Sequence, residues 1–160
     1  MLLGKIVGKV TTHAFLFDVT AEVKNLEYIK VYHPVYDYVL CQVVELSSTT
    51  SGTTTTCNII GYRDKNKVKA VRIPFDPGTE VFMADDEFIT SIIALPEEGA
   101  GAYLGKLEGR DIPIHIDLRR MLTKHVAVLA KSGAGKSYTV GVLLEEILEK
   151  GVPVLIIDPH

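Results

Sequence analysis

The chain has only two cysteines and no tryptophan, and none of its apolar runs is long enough to span a membrane as a helix. Its first residues, Met1–Lys5, lack the apolar core of a signal peptide. Cys41 and Cys57 lie in or beside apolar, strand-like runs, so we interpret them as small buried hydrophobic residues and not as a disulfide. Together these features predict a soluble cytoplasmic protein without a membrane partner.

The chain also lacks a large excess of charge of one sign. The formal net charge is −3 over 160 residues, and 47% of the residues are hydrophobic, which is typical of a globular protein. This charge balance does not indicate nucleic-acid binding, but it does not exclude it, since a basic pore can lie within an acidic protein. His13 and His33 are isolated from other ligand-type residues, so we predict ordinary surface or packed histidines.

Residues 1–95 are predicted to form a small all-β barrel. Phe15, Phe17 and Val19 alternate with Leu16 and Asp18 in the period of two that a strand has, and Ile29 and Val31 repeat this pattern. Tyr36–Leu46 is apolar on both faces, as in a strand inside a barrel or sandwich. Further strands are predicted over Cys57–Tyr62 and Lys67–Ile73, and no helical periodicity is evident in this half.

Turn chemistry separates these strands. Asp76-Pro77-Gly78 predicts a type II turn, because proline presets φ and glycine accepts the positive φ that follows. Ser47–Thr56 consists only of Ser, Thr and Gly, and we interpret it as a solvated hairpin loop.

A change of composition marks the second half. Residues 96–102 are small, acidic or proline, and we predict a linker there. The remainder, residues 103–160, is predicted to be the beginning of an α/β domain. A lone βαβ unit cannot bury both faces of its sheet, so we expect the chain to be the N-terminal part of a larger protein.

The second half has clear local signals. Tyr103–Leu107 and Ile112–Ile116 predict a hairpin, and Asp117 predicts the N-cap of a short helical turn. Val126–Ala130 and Val154–Ile157 read as parallel strands on either side of an amphipathic helix. The apolar stripe of that helix is formed by Val140, Leu143, Leu144, Ile147 and Leu148, and Lys150-Gly151 ends it.

A phosphate-binding motif lies between the first of these strands and the helix. Ala130–Ser137 matches G-x-x-x-x-G-K-[ST] at every position except the first, where alanine replaces glycine. Gly133 and Gly135 allow the backbone N–H groups to turn inward as an anion nest. Lys136 is the predicted catalytic residue, because its ammonium group can reach the β- and γ-phosphates of ATP, and Ser137 is a predicted Mg²⁺ ligand.

Two further features near the motif are less specific. Asp158 ends an apolar strand and is a tentative second Mg²⁺ ligand, although it can equally cap the next loop. From Leu104 to Lys136 the chain carries seven cationic and three acidic residues, a difference of +4. This stretch is either a solvated face or a source of cations for the nucleotide phosphates.

Three segments resemble the HerA family of hexameric ATPases, which is related to the FtsK translocases. They are Ile73–Gly78, the strand and loop His125–Tyr138, and Val154–His160. The resemblance covers nearly the whole chain. It implies that Lys124, just before the P-loop strand, contacts nucleotide. The predicted ATP-binding residues are therefore Lys124, Ser132, Gly133, Ala134, Gly135, Lys136, Ser137 and Tyr138.

The same resemblance implies an architecture and a function. Residues 1–95 would be a HAS barrel, of the kind found in ATP synthase subunits, and a RecA-like motor domain would begin near residue 100. Members of the family form hexameric rings that move along double-stranded DNA and resect DNA ends with a NurA-type nuclease, alongside the double-strand-break repair machinery. The barrel would be the docking site of the nuclease, with Tyr28, Tyr32, Tyr36 and Tyr38 as candidate anchors, although each is more simply interpreted as a residue of the barrel core. The 160 residues alone are expected to be inactive.

Two other functions stay open on the sequence. A rotary-type ATPase subunit also has a small barrel before a P-loop domain, although Asp158-Pro159-His160 and Ala130-Lys131-Ser132 argue against it. A non-catalytic assembly and docking module is compatible with the barrel, which contains no identifiable catalytic cluster.

Overall fold

A computed structural model of the chain describes residues 1–50, 52–65, 67–95 and 101–157. The chain divides into two compact units, residues 1–93 and residues 94–160. Asp158 and residues 96–100 of the predicted linker lie outside the described residues.

The first unit is a closed antiparallel barrel of six strands, as predicted. The barrel strands are β1 (Leu2–Val7), β2 (Ala14–Val19), β3 (Tyr28–His33), β4 (Asp37–Thr49), β5 (Gly52–Asp64) and β7 (Glu80–Met83). Their order around the barrel is β2-β1-β7-β3-β4-β5, and β5 pairs back with β2 to close it. The short strand β6 (Lys67–Lys69) adds to β5 only and is shorter than the predicted Lys67–Ile73. Closure leaves no long free edge around the barrel.

The barrel core follows the period of two that the sequence shows. Phe15 and Phe17 of β2 are buried, as are Ile29 and Val31 of β3. Leu16 and Asp18, which alternate with the two phenylalanines, are exposed. The thiols of the two cysteines are also buried and free, as predicted. Burial raises the pKa of Cys57 to about 12, which keeps this thiol protonated and unreactive.

The predicted Ser/Thr-rich loop is wrong in its extent. β4 continues to Thr49 and β5 begins at Gly52, so most of Ser47–Thr56 is paired strand. Thr55 is completely buried. Threonine is β-branched and favours strands, and this preference outweighs the polarity that suggested a solvated loop.

A helix in the first unit was missed by the periodicity argument. α1 spans Asp86–Ile93 and buries Ile89 and Ile92. Its N-cap is Asp85, whose Oδ1 accepts a hydrogen bond from the Phe88 backbone N–H at 2.9 Å. Arg63 donates to the Ile92 carbonyl at 2.8 Å, so the last turn of the helix is held against β5. Eight residues give too few repeats for a clear helical period.

The predicted turn at Asp76-Pro77-Gly78 is confirmed. Gly78 has φ of 87°, the positive value that a type II turn needs at this position. The Thr79 backbone N–H donates to the Asp76 carbonyl at 3.2 Å. The turn leads directly into β7, the strand between β1 and β3.

The second unit contains a hairpin and two helices, as predicted. The hairpin is formed by β8 (Gly101–Lys106) and β9 (Pro113–Asp117), and α2 (Leu118–Leu122) and α3 (Lys136–Glu149) follow. Asp117 caps α2 through a hydrogen bond of 3.0 Å from the Arg120 backbone N–H. Gly151 and Val152 donate to the carbonyls of Leu148 and Ile147, which is a Schellman ending for α3.

Two details of the second half differ from the prediction. Gly101 and Ala102 pair with β9 and therefore begin β8, so they are not linker residues. Val126–Ala130 and Val154–Ile157 do not form a parallel pair within the described part of the chain. A buried parallel strand needs a ladder partner, and these runs remain largely exposed.

Candidate functional site

The phosphate-loop motif forms a turn that leads into α3. The Ala134 backbone N–H donates to the Lys131 carbonyl at 3.2 Å, and α3 begins at Lys136. Gly133 and Gly135 have φ of 77° and 86°, which are left-handed values that glycine adopts without steric cost. An added Cβ at either glycine would meet no atom within 4 Å, so it is the backbone angle and not crowding that favours glycine here.

The N-terminus of α3 presents its first backbone N–H groups without a side-chain cap. The N-cap is Gly135, which has no side chain that could accept a hydrogen bond from the first turn. The Thr139 N–H is the first to bond within the helix, donating to the Gly135 carbonyl at 2.9 Å. Uncapped N–H groups and the positive end of the helix dipole attract anions, and Lys136 and Ser137 lie in the same first turn.

The structure brings Lys124 to the same cavity as two residues of the motif. Lys124 follows Thr123, the C-cap of α2, and its backbone N–H donates to the Met121 carbonyl at 3.4 Å. An open cavity of about 740 Å³ is lined by Lys124, Lys136 and Ser137, together with apolar residues of α2, α3 and the runs that contain Val126 and Ile156. These three predicted site residues are therefore all among the residues that line it. Ser132, Gly133, Ala134, Gly135 and Tyr138 are exposed in the loop and at the helix start.

Two of the cations between Leu104 and Lys136 form ion pairs with acidic residues of the same stretch. Lys106 pairs with Asp111 across the β8–β9 hairpin, and Arg120 Nε lies 3.3 Å from an Asp117 carboxylate oxygen. Lys131 and Lys136 lie within the loop itself, and Lys124 is the cation that precedes it most closely in sequence. No group of three potential His, Cys, Asp or Glu metal ligands occurs among the described residues. Ser137 lies in the first turn of α3, and its role as a Mg²⁺ ligand stays a prediction.

Comparison with known proteins supports the resemblance. The family model described as "Helicase HerA, central domain" matches residues 102–160. A probable DNA double-strand break repair helicase HerA of Methanocaldococcus jannaschii is 32% identical over 161 residues, covering 100% of this chain and 31% of the relative. The chain belongs to the HerA family.

Other HerA relatives match the chain over shorter stretches. The DNA double-strand break repair helicase HerA of Pyrococcus furiosus is 34% identical over 107 residues, which is 66% of this chain and 19% of the relative. The protein of the same name from Sulfolobus acidocaldarius is 35% identical over 88 residues, or 55% of this chain and 17% of the relative. The chain thus spans about a third or less of the length of these HerA relatives.

The four tyrosines proposed as barrel anchors fall into two environments. Tyr36 stacks on Tyr62 with ring centroids 4.7 Å apart, and its hydroxyl accepts the Arg72 N–H, so it is a packing residue. Tyr32 and Tyr38 face each other across β3 and β4 and are 49% and 39% exposed. Tyr28 is half-buried. Only the Tyr32–Tyr38 pair therefore offers a substantial aromatic surface.

The two histidines of the barrel show no ligand chemistry in the structure. His33 is buried beside Tyr36 and Phe75, and its Nδ1 accepts the Val35 N–H at 3.0 Å. His13 is exposed in the turn before β2. Both fit the prediction of ordinary packed or surface residues.

The sequence pattern did not predict the contact made by Glu146 of the second unit. Glu146 lies beside the apolar stripe of α3, and this position alone indicates a residue of the solvated face. In the structure its Oε2 accepts the backbone N–H of Tyr103 in β8 at 2.9 Å. The available signal was its position between Leu143 and Ile147, the two buried residues of the helix. Among the described residues, no helix combines the length and the apolar character needed to cross a membrane.

Proposed function

We propose that the protein to which this chain belongs is an ATP-dependent translocase or helicase on double-stranded DNA that acts in break repair. The observation that carries the proposal is the Ala130–Ser137 motif at the start of α3, within the region that matches the HerA central domain. The relatives are named DNA double-strand break repair helicases, which supports the DNA substrate and the repair role.

The residues of the loop suit ATP and Mg²⁺. The uncapped N–H groups at the start of α3 would bind phosphate oxygens, helped by the positive φ of Gly133 and Gly135. Lys136 would stabilise the charge on the transferred phosphoryl group, and Ser137 would ligate Mg²⁺. Lys124 would contact the nucleotide, as the family resemblance implies, and Asp158 stays a tentative metal ligand. When bound, Mg²⁺ would neutralise phosphate charge.

Assembly and partners form the second part of the proposal. We infer a hexameric ring, cytoplasmic location and a NurA-type nuclease docked on the barrel, as the family resemblance implies. The exposed Tyr32–Tyr38 pair favours the barrel as a docking surface, because exposed aromatic residues are common anchors of interfaces. Deletion of residues 1–95, with nuclease association and ATP hydrolysis measured separately, distinguishes docking from ring assembly.

The main test removes one lysine of the loop in the complete protein. Lys136→Ala should lower DNA-stimulated ATP hydrolysis by at least about 100-fold, because the loss of one preorganised charge at a transition state costs several kcal/mol. Lys131→Ala is the matched control, since it removes an exposed lysine from the same loop, and it should change the rate by less than about twofold. The 160 residues alone should show no hydrolysis above background, because positioning a water requires further groups.

Three outcomes would count against this function. Undiminished turnover in the Lys136→Ala protein would remove this residue from the mechanism. An ATPase that double-stranded DNA does not stimulate would contradict the motor. A requirement for a membrane partner would favour the rotary-type ATPase, and a protein that binds its nuclease but never hydrolyses ATP would be a docking module.

A further inference from the structure

The contact between Glu146 and β8 links the phosphate-loop helix to the hairpin. The Glu146 Oε2 accepts the Tyr103 backbone N–H at 2.9 Å, between residues that are 43 positions apart in sequence. Both partners are half-buried. A carboxylate that accepts a backbone N–H forms a charge-assisted hydrogen bond, which is shorter and stronger than a neutral one.

The hydrogen bond adds direction to an otherwise apolar contact. Leu143 and Ile147, on either side of Glu146 in sequence, pack in one cluster with Ala102 and Leu118. Hydrophobic burial is not directional, so this cluster alone tolerates small rotations and sliding of α3. A hydrogen bond weakens steeply as its angle departs from linearity. The Glu146 contact therefore selects one rotation of α3 against β8.

Rotation of α3 matters at its other end. Glu146 follows Lys136 by ten residues, or about 15 Å along the axis at the rise of an α-helix. Since the helix turns as one body, the angle that Glu146 fixes also sets where the first-turn N–H groups, Lys136 and Ser137 point. Phosphate binding depends on this direction, because its donors must converge on the same oxygens.

We propose that Glu146 is a positioning residue that sets the orientation of the phosphate loop through α3. The inference rests on the proposed nucleotide-binding function of that loop. Glu145 supplies a matched control, since it is the adjacent residue of the same helix with the same side chain, and it is exposed.

The experiment combines a local and a functional measurement on the complete protein. Hydrogen exchange at the Tyr103 amide reports the contact, and calorimetric titration with ATP and Mg²⁺ reports the loop. All measurements are made below the melting transition of every variant. Glu146→Ala should speed exchange at Tyr103 and raise the Kd for ATP about tenfold, the effect of losing a charged hydrogen bond. Glu145→Ala should leave both quantities within about twofold of the unmodified protein.

The conservative variant distinguishes positioning from general destabilisation. Glu146→Gln keeps an oxygen acceptor at the same reach and should restore most of the ATP affinity. If Glu146→Ala does not fold, Glu146→Asp, which is shorter by one methylene, takes its place with the same expected direction. An unchanged Kd in the Ala or Asp variant, despite faster Tyr103 exchange, would overturn the inference, and so would equal losses in the Gln and Ala variants. Absence of ATP binding by the unmodified protein would overturn the proposed function, and this inference with it.

Discussion

In the barrel unit, the side chains of Leu3, Phe17 and Val31 are completely buried, whereas Leu129, Leu155 and Ile157 of the second unit are 86% to 91% exposed. Closure of six strands gives each barrel strand two neighbours, and alternate residues fill a common interior. In the second unit, the described residues provide one hairpin and two helices, and their core is a small cluster around Leu143 and Ile147.

The unit with the large apolar core is therefore not the unit that carries the candidate nucleotide site. The barrel satisfies its own backbone and apolar surfaces but contains no group of potential metal ligands among its described residues. The phosphate loop lies in the second unit. A loop that must admit a ligand cannot be buried in a packed core, so a region of this kind is expected at the low end of local stability.

The largest expected effect tests burial directly with one type of substitution. Leu3→Ala in the barrel should lower the free energy of unfolding by about 2–5 kcal/mol, because it leaves a cavity in a packed core. Leu129→Ala in the second unit should change it by less than about 0.5 kcal/mol, since that side chain is 91% exposed. Denaturant unfolding of both variants makes the comparison.

Equal losses at the two leucines would contradict the contrast between the units. A large loss at Leu129 alone would show that the Val126–Ala130 run is packed in solution. The slope of the unfolding free energy against denaturant concentration should be the same in all variants. A changed slope would mean that the compactness of the native or the denatured state has changed as well.

The comparison also shows which features a sequence can reveal. The turn at Gly78, the cap at Asp117, and the start and Schellman end of α3 depend on neighbouring residues, so local chemistry predicts them. The pairing of β2 with β5 joins residues about forty positions apart, and no local pattern specifies it. The Glu146 contact was missed for the same reason.

Two errors have a different origin. The Ser/Thr run was assigned to a loop by polarity, although its β-branched residues and its buried Thr55 make it a strand. Val126–Ala130 was assigned to a strand by its apolar character alone. A strand is a property of a pair of segments, and the described residues offer this run no partner.

An intermediate effect compares two glycines with positive φ. Gly78→Ala forces a left-handed alanine into the turn before β7, and the free energy of unfolding should fall by about 1–2 kcal/mol. Gly133→Ala imposes the same strain in an exposed loop, which can relax at less cost. Its main consequence should therefore be weaker ATP binding, as measured by calorimetry, with a smaller change in unfolding.

The control for this pair is Gly109→Ala, which imposes a similar positive φ on a side chain in the exposed turn between β8 and β9, outside the phosphate loop. It should keep most of the ATP affinity of the unmodified protein. If Gly133→Ala binds ATP normally, the left-handed backbone at this position is not needed for phosphate, and the anion-nest account of the loop is wrong.

The smallest effect concerns one ion pair in each unit. Lys30 Nζ lies 2.5 Å from Asp85 Oδ2 and over the rings of Tyr38 and Phe88. Its hydrogen bond, with that of the Phe88 N–H, lowers the pKa of Asp85 from 3.8 to about 2. A carboxyl with a lowered folded-state pKa stabilises the fold above its unfolded pKa, and this stability is lost as the pH falls from about 4 to about 2.

Asp85→Asn should therefore reduce the free energy of unfolding at pH 7 and weaken its dependence on pH between about 4 and about 2. The loss should stay below about 1 kcal/mol, because the Asp85 side chain is 57% exposed and solvent screens the pair. Asp111→Asn, which removes the more exposed partner of Lys106 in the second unit, should have no measurable effect in the same unfolding titrations from pH 7 to pH 2. If both variants lose the same stability, the partly buried position of Lys30 against its two rings contributes nothing, and the contrast between the units does not extend to their surface charges.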